Sequence, residues 1–506
     1  MDALITEFNQ EKRGSKNTIF KTNFEIKNIS VALANCLRRS FSTLTPTVGF
    51  DDTYFNNEEL NSINIKTNTS SLHNEFISHR LSLIPINMTN HNNLQISTHF
   101  DKQEVERKWK FLDVNKVPHF IIDMKNDSQH DNLRDKEGLI DITTDTFNIF
   151  VGETQLNTLN FFPHDLFTGE PILINKLKYN ISNQDNGEEL LIICRPTIGL
   201  GKYHSRYDPT GTVEYSFKID KSRVELVLKL KLEYLEEERK NKGLEPYTPK
   251  EIQDIKKSYH LLDKQRVFLT NKQGKANHLL FSIESIGFMS SSQIIIDAIN
   301  TLELMIIDVK NCFEFVINKS KLELNLLDKV QINEFGDDNV NRGCIIKVKN
   351  ENHTLGNLIQ HYLRKSVLYP RTNLEDEVFN LKIGNYRMDH PTIEEIEFIL
   401  GISSKTTKTS IINYISHIKD QHESKGNVSN LVDILREINY EELEEENIIN
   451  LTNIFCVLQF IIAINKTLID IKDIKKKFIQ KTNINQPSFT IIDSEEYRNM
   501  NKLFVN

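Results

Sequence analysis

Two stretches of this 506-residue chain carry apolar residues that step alternately by four and three positions. The first runs through Ile295, Ile299, Leu302, Ile306, Val309, Phe313 and Val316. The second runs through Ile454, Val457, Ile461, Ile464, Leu468 and Ile471, with Lys475 interrupting before Phe478. Such stepping keeps one side of an α-helix apolar along a coiled-coil-like seam, and a second helix must cover it. The two seams suit each other, so the chain is expected to fold back and bury them together. Each follows a strand-like run, 279–286 (LLFSIESI) and 395–400 (EIEFIL).

The same order recurs upstream of both seams. Residues 19–28 read as a strand that runs into Ser30, an N-cap residue type. An amphipathic helix follows with Leu33, Leu37, Phe41 and Leu44 on one face, and Pro46 stops it. Residues 343–350 form another strand, and the helix after it carries Leu355, Leu358, Ile359, Tyr362 and Leu363. The helix starts share letters: Leu33-Ala34-Asn35-Cys36-Leu37 against Leu355-Gly356-Asn357-Leu358-Ile359. We read a diverged internal repeat, two αβ units of one type in an α+β fold, able to close into an intramolecular pseudo-dimer. Any two amphipathic helices in a large protein show such stripes, so the period alone leaves the pairing open.

Between and within the units lie insertions. Residues 51–189 are rich in short β-like runs and turn signals and read as an inserted, mostly β subdomain. A charged excursion at about 218–275 contains a helix candidate ended by Gly243 and Pro246. Another, at 403–450, holds the acidic run 441–446 and reads as a solvated surface. At roughly 150 residues per domain the length allows about three domains. The 62 basic and 70 acidic side chains leave a net charge of −8, which excludes a mainly electrostatic nucleic-acid or membrane binder. The N-terminus has no apolar signal core, and the apolar run around Val457 and Ile464 is shorter than a membrane span. Cys36, Cys194, Cys312, Cys344 and Cys456 are odd in number and far apart in sequence, which implies a reducing compartment and no cysteine metal site.

Two segments invite chemistry. In 68–85, Leu72, Phe76 and Leu83 fall near one helical face with His73, Glu75, His79 and Arg80 around it. The histidines are six apart, whereas a zincin needs them at i and i+4, so a structural or interface role is expected. The segment 195–206 contains Gly199-Leu200-Gly201-Lys202. A P-loop needs four residues between its glycines and a hydroxyl residue after the lysine, where this chain has Tyr203. It reads instead as an exposed basic loop suited to an acidic partner. No paired carboxylates, nucleophile elbow or Asp-rich metal loop is visible, so no catalytic residues are assigned.

These segments resemble the assembly subunits of multisubunit DNA-directed RNA polymerases. The first half is similar to the alpha-like, third-largest subunit (archaeal D-type) at 28–39, Thr45-Pro46-Thr47, 72–86, 199–215 and 281–302. The second half is similar to the smaller alpha-like partner (archaeal L-type) at 350–363, 386–398 and the C-terminal seam helix. The resemblance implies two dimerisation units of antiparallel sheet plus helices. One is 1–50 with 190–318 and the other 340–480, joined by a linker near 318–340 and followed by a tail, 481–506. It also implies a fusion of two normally separate polypeptides, as in some large cytoplasmic DNA viruses, with cytoplasmic (viral factory) residence and packaging in the virion rather than a nuclear location.

The resemblance further implies a non-catalytic platform. Its face toward the two large catalytic subunits carries Asn35, Arg38, Arg39, Arg80, Gly199, Gly201, Lys202, His204 and Arg206. Its internal interface carries Leu33, Leu37, Phe41, Ile295, Ile299, Leu302, Ile306, Leu355, Gly356, Asn357, Ile359, Ile461, Ile464, Leu468 and Ile471. Small polymerase subunits are further partners, with one copy per complex, no homodimer, no membrane and little nucleic-acid contact. Many D-type relatives hold zinc or an iron–sulfur cluster in the inserted domain. Residues 50–190 here contain no cysteine, so no cofactor is expected, and the catalytic magnesium would sit in the large subunits. A free-standing binding protein of the same fold is the alternative.

Overall fold

The computed structural model describes residues 3–13, 18–56, 61–87, 97–98, 116–165, 167–180, 187–272, 274–318, 321–326, 329–337, 341–367, 381–403, 406–412, 448–482 and 484. Its first half runs β1 (Leu4–Arg13), β2 (Thr18–Lys27), α1 (Val31–Thr43), β3 (Thr210–Phe217), β4 (His278–Ser285) and α2 (Ser291–Asn311). Its second half runs β5 (Val330–Asp337), β6 (Asn341–Lys349), α3 (His353–Val367), β7 (Ile383–Arg387), β8 (Glu395–Ser403) and α4 (Ile448–Thr482). The sheets have strand orders β1-β2-β4-β3 and β5-β6-β8-β7, antiparallel throughout. The two halves therefore share one topology: two strands, a helix, two strands and a long helix, with the fourth strand beside the second.

Local sequence explains the shared turn. Asn28 and Asn350, at φ 58° and 62°, occupy the left-handed region just before α1 and α3, a conformation asparagine tolerates better than most residues. Two residues on, the Ser30 hydroxyl accepts from the Leu33 amide, and Asn352 Oδ1 accepts from the Thr354 amide at 3.0 Å. The strands bury alternate residues: Leu279, Phe281 and Ile283 in β4, and Cys344, Ile346 and Val348 in β6. Phe24 pairs with Phe281 and Ile346 with Phe398, which puts matching layers at the centres of the two sheets.

The four helices cover the buried sheet faces and each other. α2 packs on α4, α1 on α2 and α3, and α3 on α4. Ile295, Ile299, Leu302, Ile306 and Val309 of α2 are buried in one apolar core with Ile454, Val457, Ile461, Ile464, Leu468 and Ile471 of α4. At about 1.5–3 kcal/mol for each such side chain, this seam dominates the attraction between the long helices. Lys475 does not interrupt it: its ammonium meets Glu303 of α2 at 2.8 Å. Phe478 then packs edge-on against Phe24, ring centroids 5.0 Å apart.

Three expectations are corrected here. The first seam stops at Val309, because α2 ends at Asn311; Phe313 and Val316 belong to a strand, Phe313–Asn318, paired with Lys321–Leu326. The alternating run FEFVIN prefers a strand to a further helical turn. The region 318–340 is consequently no plain spacer: its described residues include the second strand of this hairpin, Lys329 and β5, so the second unit begins at Lys329. Third, α4 is long and apolar enough, by length and composition, to cross a membrane, although 67% of its most apolar window is buried inside the protein.

The insertion after α1 contains a five-stranded sheet of Ile63–Asn68, Glu189–Cys194, Pro118–Lys125, Asn148–Val151 and Thr154–Leu156, in that spatial order. Phe50, Phe120, Phe147, Phe161 and Phe162 pack edge to face in its core. The helix Asn74–Ser82 rests on it through Ile77 and Leu81, whereas Phe76 and Leu83 are 63% and 51% exposed, so of the three residues expected on one face Leu72 alone packs against the core. The charged excursion folds into helices Lys221–Asn241 and Pro249–Ser258, with the Tyr259 hydroxyl donating to the Val224 carbonyl. The acidic run 441–446 and the tail beyond residue 484 lie outside the described residues.

Candidate functional site

The region where the two halves meet gathers most of the residues singled out in the sequence. Leu33, Leu37 and Phe41 of α1 and Leu355, Gly356 and Ile359 of α3 are buried there, and Asn357 is half-buried. Gly356 is required by distance: a Cβ at that position would lie 2.4 Å from the Tyr386 ring of β7. Tyr386 also shares a 3.2 Å hydrogen bond with His353 Nδ1. Burial pushes its phenol up against the opposing influence of Arg39, which puts this first-half arginine within electrostatic reach of β7.

The Gly-Leu-Gly-Lys segment is not the exposed loop expected. Thr197–Leu200 is a buried strand paired with Pro46–Gly49. A Cβ on Gly199 would meet the Tyr207 ring at 2.4 Å, and one on Gly201 would meet the Ser42 carbonyl oxygen at 2.3 Å. Both glycines thus serve close approach. The Lys202 side chain is only 5% exposed; its ammonium donates to the Asn350 carbonyl at 3.0 Å and pairs with Glu394 at 3.2 Å. Tyr203 is held far above the usual phenol range by burial, with Glu351 and Glu394 adding to it. Arg206 is turned inward to the Phe50 carbonyl at 3.2 Å and to Asp52 at 2.6 Å. His204 alone of these side chains is exposed; burial and then Arg206 lower its pKa. The basic character legible in the sequence is spent inside the chain.

On α1, Asn35, Arg38 and Arg39 are half-buried. Arg38 Nε donates to Asn35 Oδ1 at 3.1 Å, a bond between successive helical turns. Arg39 Nε is buried without an acceptor among the described residues, a donor whose desolvation is uncompensated within the chain. Arg80 stands apart on the insertion, exposed, donating to the Leu173 carbonyl at 2.7 Å.

Sequence reasoning missed the strongest polar feature of the seam. Lys329, just before β5, lies 2.7 Å from Asp308 of α2 and 2.8 Å from Glu351, with all three side chains at most 9% exposed. Burial pulls the Lys329 ammonium down, but Glu351 and Asp308 outweigh it and hold its pKa above the ordinary value. No periodicity signals such a cluster, whose members are brought together only by tertiary packing.

Metal-ligating types do not converge. Among the described residues no group of three or more His, Cys, Asp or Glu is placed to hold an ion. His79 faces Asp52 at 3.5 Å. The five cysteines are buried and form no disulfide, and the neighbouring Cys456 together with burial holds the Cys344 thiol far above its usual pKa.

The scaffold is α+β, two antiparallel sheets of one topology with their long helices packed along one seam. The model of the RNA polymerase Rpb3/Rpb11 dimerisation domain matches residues 23–304, more than half of the chain, and the chain belongs to that family. It is 24% identical over 297 residues to DNA-directed RNA polymerases II, IV and V subunit 3 of Arabidopsis thaliana, covering 55% of this chain and 84% of the relative. It is 21% identical over 307 residues to DNA-directed RNA polymerases I and III subunit RPAC1 of Saccharomyces cerevisiae, covering 58% and 84%. A conjugation stage-specific protein of Tetrahymena thermophila is 23% identical over 315 residues, covering 56% and 88%. The chain is homologous to polymerase subunits, and the family match ends within α2.

Proposed function

We propose that this chain is a non-catalytic assembly subunit of a DNA-directed RNA polymerase that carries both alpha-like partners in one polypeptide. In this reading its two halves pair as an intramolecular pseudo-heterodimer and nucleate binding of the two large catalytic subunits. The observation that carries the reading is the repeated topology, with strand orders β1-β2-β4-β3 and β5-β6-β8-β7 and a left-handed asparagine before each first helix. Tethering replaces a concentration-dependent association with an intramolecular one, so one-to-one stoichiometry is automatic. A single-chain arrangement of this kind fits a viral polymerase assembled in the cytoplasm and packaged with the particle.

In this proposal α1 offers Asn35, Arg38 and Arg39 to a large subunit, with Arg80 and His204 as outlying contacts. Arginine forks bind carboxylates and carbonyls bidentately at interfaces, and the unsatisfied Arg39 Nε supports such a use. Lys202 and Arg206 drop out of that face, since each is engaged within the chain. The test is Arg38→Glu with Arg39→Glu in the polymerase-expressing host. The double variant should stay folded by circular dichroism and fail to co-purify the large subunits. Normal incorporation would refute the proposal.

A further inference from the structure

We infer that the seam along the long helices is charge-coded, α2 contributing acids and α4 and the residue before β5 lysines, so that each half selects the other; the Lys202–Glu394 pair between the halves runs the other way and is not part of this code. The inference rests on the intramolecular pairing proposed above. On α2, Glu303 and Asp308 face the second half; Glu303 meets Lys475 at 2.8 Å and Lys472 at 3.6 Å, and Asp308 meets Lys329 at 2.7 Å. The long helices carry this polarity, with every charged residue of α4 falling within 466–481. α2 holds three acids and one lysine, whereas α4 holds six lysines and two aspartates.

Apolar stripes alone cannot make that choice, because Ile and Leu ridges on α2 would pack on a second α2 as well as on α4. Like-with-like pairing of first halves would oppose Glu303 and Asp308 to their own copies, and pairing of second halves would oppose lysine to lysine. Repulsion of this kind is how specificity is built against competing partners. Burial sharpens the discrimination: Asp308 is fully buried and pairs with Lys329 at 2.7 Å, where replacing the cation by a like charge costs most. The halves also differ at the residue after the left-handed asparagine. Ile29 occupies it in the first half and Glu351 in the second, both buried, so the Lys329 site exists on one side only.

Three full-length chains test the code by size-exclusion chromatography with light scattering and by thermal melting. One carries Glu303→Lys and Asp308→Lys; the second carries Lys329→Glu, Lys472→Glu and Lys475→Glu; the third combines all five changes and adds Glu351→Lys, since Glu351 also pairs with Lys329 at 2.8 Å. Each partial set should abolish the monomer peak or lower the melting temperature by roughly 5 °C or more. The combined chain, with every pair restored in reversed polarity, should regain the monomer and at least half of the lost melting temperature. Wild-type behaviour of both partial sets, or a combined chain no better than either, overturns the inference. Recovery of large subunits does not enter the readout, so this failure is distinct from failure of the polymerase reading.

Discussion

Alanine at Gly356 gains and loses at once, and the geometry fixes which effect wins. Replacing a helical glycine by alanine contributes about 1 kcal/mol through backbone entropy. Against that, the new methyl would lie 2.4 and 2.6 Å from two ring carbons of Tyr386, so the ring must retreat by about an ångström to reach ordinary contact. That ring is hemmed in by Phe398, centroids 6.3 Å apart, and tied to His353. Overpacking of this kind costs about 1–3 kcal/mol, and confinement on two sides puts this case in the upper part of the range. The net expectation is a loss of about 1–2 kcal/mol, which corresponds to 5- to 30-fold faster opening. Hydrogen exchange by mass spectrometry on peptides from α3, β7 and β8 reads that directly. In a Tyr386→Ala background the clash is gone, and Gly356→Ala should then slow exchange by about fivefold, reversing sign. Slower exchange on Gly356→Ala in the wild-type background would refute the close-approach reasoning.

Lys329→Met removes the buried ammonium that Asp308 and Glu351 share, at an expected cost of about 3–5 kcal/mol; adding Asp308→Leu and Glu351→Leu should return most of it in urea melts. If the single change is neutral, the triad is not buried as described. Ser30→Ala removes the N-cap of α1 and should cost about 1 kcal/mol, read as faster exchange confined to the first turn; a rise across all of α1 would contradict a local role. Burial pushes the Glu25 and Glu397 carboxyls up, but hydrogen bonds from Lys218, and from Lys347 and Arg387, outweigh it and hold both below their ordinary 4.5. Depressed carboxylates give stability that is complete above the unfolded value and is lost as pH falls through the folded ones, so melting temperature should drop steeply below about pH 4.5. Lys218→Met with Lys347→Met should flatten that slope, and an unchanged slope would exclude these two sites as its source.

The repeat was legible because burial on one side imposes a period on whatever sequence folds there. Phe24, Ile346 and the α2 and α4 stripes show it directly, and the shared Leu and Asn letters fall on turns that the structure builds alike. What escaped was set by partners distant in sequence. Lys202 reads as a surface cation until Glu394 and the Asn350 carbonyl are brought beside it. Lys475 reads as a flaw until Glu303 answers it across the seam. Phe313 and Val316 continued a heptad that the chain abandons for a hairpin, since the same apolar letters satisfy either period over so short a run. Leu72, Phe76 and Leu83 read as one helical face, yet the helix docks through Ile77 and Leu81, because a short helix can turn either of two apolar edges inward.

The central claim is that one chain supplies both alpha-like partners of a polymerase. Affinity purification of the tagged protein from its native host, with mass-spectrometric identification and stoichiometry of everything that accompanies it, tests that claim most directly. The account predicts two very large subunits at one copy each and no separate small alpha-like polypeptide. Recovery of the chain alone, or together with a separate small alpha-like partner, would contradict it.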